Sequence, residues 1–206
     1  KAFRYFNKTN NYTRAILAES LMLVQLKDST QLDFEEIVVR YESLIEHSEA
    51  LGLLDKRGMI LHNLGLMYFW KQDFKNAHIF YKKSIEEADK QTLPYLNRLY
   101  NYLDNAGEGK LLSTNELLEE AYEGLALSEK ATNDLYKILF KLLILRFNKN
   151  FDEYYDFMEQ TAFPFFKEHN HVTHSSKYAK LLYSYYVKTK QYEKAVHAGE
   201  MFISGH

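Results

Sequence analysis

Asn63 and Asn97 stand 34 residues apart, and Tyr68 and Tyr102 repeat the same interval. A carboxamide donates through its nitrogen and accepts through its oxygen, so one side chain can satisfy both the N–H and the C=O of an extended peptide. Two such side chains in equivalent places therefore suit a surface that holds a peptide by its main chain; the plainer alternative is a pair of polar surface residues or helix-pair hydrogen bonders. Asn101 and Arg98 flank Asn97, and His62 precedes Asn63, where it either joins the same surface or packs as a spacer. Further along, Lys137 and Lys141 share one helical face at i, i+4, and Lys177, Lys180 and Ser184 lie close together. A basic surface there would grip a ligand carboxylate by charge-assisted hydrogen bonds, although a helical lysine is more often simply solvated.

Other chemistries are poorly represented. His169, His171 and His174 form H-x-H-x-x-H, a spacing that can seat a transition metal, but no cysteine or placed carboxylate completes the set, so neither a metal nor a cofactor is expected. The glycine-bearing stretch at 104–115 lacks the G-x-x-x-x-G-K-[ST] spacing of a phosphate cradle. No Ser/His/Asp arrangement or carboxylate pair stands out, and the chain reads as a binding protein rather than an enzyme.

Composition narrows the class. The 206 residues include no cysteine, two prolines and eight glycines, with 16% aromatics, which disfavours disulfide frameworks, collagen and loop-rich β folds and favours helices. The absence of cysteine points toward a cytoplasmic setting. With 26 basic and 28 acidic side chains the net charge is −2, so bulk charge gives this segment no hold on DNA or on an anionic membrane. No run of 18 uncharged apolar residues suggests a membrane span.

These residues need a scaffold that repeats. Between Leu61 and Ile85, Leu64-Gly65 is followed by Tyr68, Ala77 and Tyr81, the L-G-x-x-Y…A-x-x-x-F spacing of a tetratricopeptide unit with tyrosine in the last place. Gly65 and Ala77 let the paired helices approach closely, while Tyr68 and Tyr81 fill the wedge between repeats. Weaker copies occur at Leu182-Tyr183-x-x-Tyr186 with Tyr192 and Ala195, and at 148–157, where Phe151 precedes Tyr154 as Phe74 precedes Ala77. Ala2 and Phe6 form the second half of a further repeat, so the chain is expected to be cut from a longer array. Apolar periodicity predicts helices at 11–27, 33–50, 56–71, 73–90, 92–104, 115–130, 132–148, 151–168, 175–189 and 191–204, with surface loops at 104–115 and 169–176. The expected fold is all-α: residues 1–206 as one domain of about five helix-turn-helix pairs plus the stub, stacked as a right-handed superhelix whose first helices line a concave groove.

Three stretches, FRYFNKTNNYTRAILAESLMLV, ILHNLGLMYFWKQDF and FPFFKEHNHVTHSSKYAKLLYSYYVKTKQYEKA, together resemble the C-terminal sensor domain of the RRNPP peptide-pheromone regulators of Gram-positive bacteria, in particular its NprR-like members. That resemblance implies a cytoplasmic receptor whose groove asparagines hold the main chain of a short signalling peptide. It further implies homo-oligomers whose assembly changes with peptide, and DNA contact only through a helix-turn-helix domain upstream of Lys1. Two other readings stay open: a Rap-like protein that blocks a response-regulator protein, and a non-switching scaffold that docks a partner's tail. The sequence upstream of Lys1 discriminates among the three: a helix-turn-helix, a three-helix bundle or further repeats.

Overall fold

The computed structural model describes residues 11–26 and 33–203, the side chains of 54, 55 and 201–203 excepted. The proposed stub at Ala2 and Phe6 lies outside the described residues. In order the helices are α1 (Tyr12–Gln25), α2 (Phe34–Ala50), α3 (Leu54–Trp70), α4 (Phe74–Glu86), α5 (Leu93–Glu108), α6 (Thr114–Lys130), α7 (Asp134–Phe147), α8 (Phe151–Phe157), a π turn (Met158–Ala162), α9 (Phe163–Glu168), α10 (Val172–Lys188) and α11 (Tyr192–Ile203). Among the described residues there is no strand, and no helix is long and apolar enough to cross a membrane. The chain forms two compact units, Lys1–Leu117 and Leu118–His206.

The first unit packs Ile16, Leu23, Ile37, Tyr41, Leu44, Ile60, Leu64 and Met67 into one core. The repeat glycine acts as its spacing implies: a Cβ on Gly65 would stand 2.8 Å from the ring of Tyr81, itself fully buried, so α3 and α4 touch where only glycine fits. In the second unit Phe140, Met158 and Phe166 are fully buried. Gly124 on α6 receives the Phe140 ring even more closely, leaving no room for a Cβ.

Neither predicted surface loop exists at its expected length. Helix α5 continues to Glu108 because Asp104, Asn105 and Ala106 are buried, the Asn105 amide donating to the Phe74 carbonyl at 3.0 Å. Ser113 and Glu116 then open α6 by reciprocal capping, Glu116 accepting from the Ser113 N–H at 2.8 Å. Likewise α10 begins at Val172, so most of the second loop is helix. Seven of the connections among the described residues are tight turns of one design. Gly52, Gln72, Lys110, Thr132, Lys149, Asn170 and Lys190 all have positive φ. At each, the following residue donates to the carbonyl five positions back, as Asp73 does to Tyr68, Leu111 to Ala106 and His171 to Phe166. Only one of the seven is glycine, which hides the pattern in the sequence. The predicted helix at 151–168 is interrupted at the π turn. Pro164 has no N–H for the Gln160 carbonyl, and just upstream the Phe163 N–H reaches back to Met158 instead.

Candidate ligand cleft

Within the first unit, α3, the α4–α5 connection and the start of α5 enclose a cleft of about 640 Å³. Its walls carry His62 and Asn63 from α3, Asn97 and Arg98 from α5, and Glu87 and Asp89 from the connection. The 34-residue interval brings the two asparagines to one cleft because each is carried by the first helix of its pair. The connection between α4 and α5 is built unlike the seven positive-φ turns. The Asp89 carboxylate accepts from the Gln91 N–H at 3.0 Å, and the Thr92 hydroxyl donates to the Asp89 carbonyl at 2.6 Å. Pro94 then sits in the first turn of α5, where its missing N–H is no loss.

The polar side chains of the cleft are tied to the scaffold behind it. The Asn63 amide donates to the Ser20 hydroxyl at 2.9 Å. Ser20 is fully buried on α1, and its carbonyl accepts from the Tyr41 hydroxyl at 3.0 Å, so α1, α2 and α3 meet in one buried polar junction. The Asn101 amide donates to both the carbonyl and the side-chain oxygen of Asn97, at 2.8 and 3.2 Å. The nitrogen of the Asn97 amide in turn lies 3.5 Å from His62 Nε2. His62 is 8% exposed and packs against the Tyr81 ring with centroids 5.3 Å apart. Burial, and then the Arg98 charge, lower its pKa from 6.5 to about 4, so the ring is neutral at physiological pH. Arg98 is turned inward, its guanidinium donating to the Ser84 carbonyl at 2.8 Å, with Gly58 leaving room for it. Glu87 of the cleft wall is paired with Arg57, which also pairs with Glu49 at 3.3 Å.

Five of the ten sequence candidates thus belong to one site: His62, Asn63, Asn97 and Arg98 line the cleft, and Asn101 stands behind Asn97. The other five lie in the second unit. Lys137 pairs with Asp134 at 2.9 Å and Lys141 with Glu153 at 3.5 Å, so both ammonium groups are already met by carboxylates. Lys177 places its ammonium 5.6 Å from the Tyr178 ring centroid, Lys180 is exposed, and the Ser184 hydroxyl turns back to the Lys180 carbonyl. The second unit has a cleft of its own, about 560 Å³, but Glu159, Lys194 and Tyr186 line it and none of these five does. His169 stacks on Phe165 with centroids 4.2 Å apart, and no group of histidine and carboxylate side chains among the described residues is arranged to hold a metal. Sequence reasoning missed Ser20, Glu87, Asp89 and Arg57. The acidic pair after α4 was open to inspection in EEADK, but the turn that aims it was not.

No family model matches the chain, and no curated protein matches it. Solved structures do. Over 98% of this chain, apo RapI superposes with a TM-score of 0.78 at 15% identity, the match covering 72% of RapI. The apo quorum sensor NprR from B. thuringiensis matches over 98% of this chain and 57% of its own, with a TM-score of 0.74 and 19% identity. A Rap protein complexed with competence and sporulation factor gives 0.76 at 15% identity over 56% of its length, and aspartyl phosphate phosphatase F from Bacillus subtilis gives 0.73 at 21% over 49%. The chain therefore spans from half to about three quarters of the proteins it resembles. The resemblance read from the residues is met at the level of architecture: the chain has the all-α, tetratricopeptide-like fold of the Rap and NprR proteins.

Proposed function

We propose that this chain is the peptide-sensing part of a quorum-sensing regulator, and that a short signalling peptide occupies the cleft between α3 and α5. The observation that carries the reading is the convergence of Asn63 and Asn97, one repeat apart in sequence, on a cleft large enough for several residues of extended chain. Each amide is held by a scaffold partner and so loses little freedom when it meets a ligand main chain. His62 stays neutral beside Asn97, so the cleft wall carries no buried imidazolium charge. Support from likeness comes from a fold neighbour described in complex with competence and sporulation factor, and from another described as a quorum sensor. On this reading the whole protein is a cytoplasmic homo-oligomer of which residues 1–206 form one sensing domain, and peptide shifts it between two states of assembly by binding one of them better. DNA is reached through an upstream domain.

A second mode, in which the chain docks a response-regulator protein as Rap-like proteins are expected to, is favoured by the three Rap-type structures among its neighbours. Both modes use the same cleft for peptide. The test is to incubate residues 1–206 with a random heptapeptide pool, recover what is retained by gel filtration, and identify it by mass spectrometry. Retention of a sequence-related subset, lost when His62, Asn63 and Asn97 are replaced together, supports the reading. Retention of no peptide refutes it.

A further inference from the structure

We infer that Asn101, a side chain that does not line the cleft, locks the Asn97 carboxamide so that its N–H₂ edge faces His62 and the ligand, making this position a dedicated donor to a peptide carbonyl. The inference rests on the peptide reading above for its ligand, and on the hydrogen-bond network for its geometry. A main-chain carbonyl can only accept. The Asn101 atom lying 2.8 Å from the Asn97 carbonyl is therefore Nδ2, whatever the ambiguity of amide orientation elsewhere. That same Nδ2 lies 3.2 Å from one side-chain atom of Asn97, which must be Oδ1, because a second N–H₂ there would set two donors against each other. With its oxygen thus engaged, Asn97 can turn only nitrogen toward His62 Nε2, 3.5 Å away. Nε2 must then present its lone pair, and the ring proton of His62 sits on Nδ1.

His62 Nδ1 is buried with no hydrogen-bond partner among the described residues, so it is the Asn97 contact at Nε2 that selects between the two neutral tautomers. Burial first, and the Arg98 guanidinium of α5 second, disfavour a doubly protonated ring. From α4 the Tyr81 ring packs against it, and Tyr81 is itself held protonated by burial and by the charge of Asp104. Lys56 of its own helix and Glu87 and Asp89 of the α4–α5 connection line the same cleft. One N–H of Asn97 is directed at His62 and the other is left for a ligand carbonyl. The lock therefore sets which main-chain group of an extended peptide can sit at Asn97.

The test uses residues 1–206 with ¹⁵N-labelled histidine, reading the His62 tautomer from its ring nitrogen signals, together with affinity for the peptides retained from the heptapeptide pool. Wild type should show the Nδ1–H form. Asn101→Asp replaces the donor by an acceptor, so Asn97 should turn over, His62 should change to the Nε2–H form, and affinity should fall about five- to a hundredfold. In Asn101→Ala the amide is free to take both orientations. That variant should show mixed tautomers and about twofold weaker binding, the competent population being halved. Circular dichroism establishes that each variant is folded, and the alanine variant serves should the aspartate one not fold. An unchanged His62 tautomer in folded variants overturns the lock, as does undiminished peptide affinity in Asn101→Asp. A wild type that retains no peptide, while the tautomer reverses as expected, overturns the peptide reading and the ligand half of the inference but leaves the lock standing.

Discussion

Replacing His62 by glutamine should remove a specific part of the acid sensitivity of this fold. In the native chain His62 is buried beside Arg98 and its pKa is lowered from 6.5 to about 4, whereas in the unfolded chain it titrates near 6.5. Between these two values the unfolded state binds the proton and the native state does not, so acid favours unfolding across that window. The sign is therefore a loss of stability as pH falls from 6.5 toward 4, with no contribution above 6.5. A lowering from 6.5 to about 4 corresponds to about 3 kcal/mol once both states are protonated, and to about 2 kcal/mol at pH 5. Glutamine retains an acceptor near the Nε2 position for the Asn97 amide but does not titrate. Urea unfolding of wild type and His62→Gln at pH 7, 6, 5 and 4, with the slope on denaturant constant, gives the stability difference at each pH. That difference should move in favour of the variant by about 2 kcal/mol between pH 7 and pH 5. Other groups, including the half-buried His78, titrate in both proteins and cancel in the comparison. Parallel pH profiles for the two proteins would refute the reasoning, since they would mean that His62 meets the same environment folded and unfolded.

Truncating Asn63 or Asn97 to alanine should weaken a retained peptide by about 1–3 kcal/mol each, or five- to more than a hundredfold, as calorimetric titration would show. Asn63→Ala should also cost about 1 kcal/mol of stability, because the buried Ser20 hydroxyl loses its donor, an effect to be sought by thermal melting without peptide. Gly124→Ala should destabilise by about 1–3 kcal/mol, since the new Cβ would collide with the buried Phe140 ring; an unchanged urea midpoint would contradict the packing. Light scattering of residues 1–206 should show self-association that shifts when a retained peptide is added, and a strict monomer under both conditions would leave assembly switching unsupported.

The helices and their pairing are legible in the residues because they are local. Apolar side chains recur at helical spacing, and the Gly65, Ala77 and Tyr81 pattern marks where two neighbouring helices must touch. The 34-residue interval likewise assigns Asn63 and Asn97 to corresponding helices of adjacent pairs. What stays hidden depends on partners far along the chain or on backbone conformation that residue type does not announce. DNAGEG looks like a loop, yet it is a buried helix end, because Asn105 reaches the carbonyl of Phe74 and Gly109 lies against the same residue. Six of the seven positive-φ turn residues are not glycine, so the tight turns that shorten both predicted loops left no mark in composition. Arg98 reads as a groove cation but spends its guanidinium on Ser84, and Lys137 and Lys141 read as anion grips but face Asp134 and Glu153. Residue spacing suffices to dictate that helices stack in pairs and that two amides recur in register. Which polar groups the scaffold holds is settled by packing between helices, because it depends on Ser20 approaching Asn63 and His62 approaching Asn97 across interfaces that no local pattern encodes.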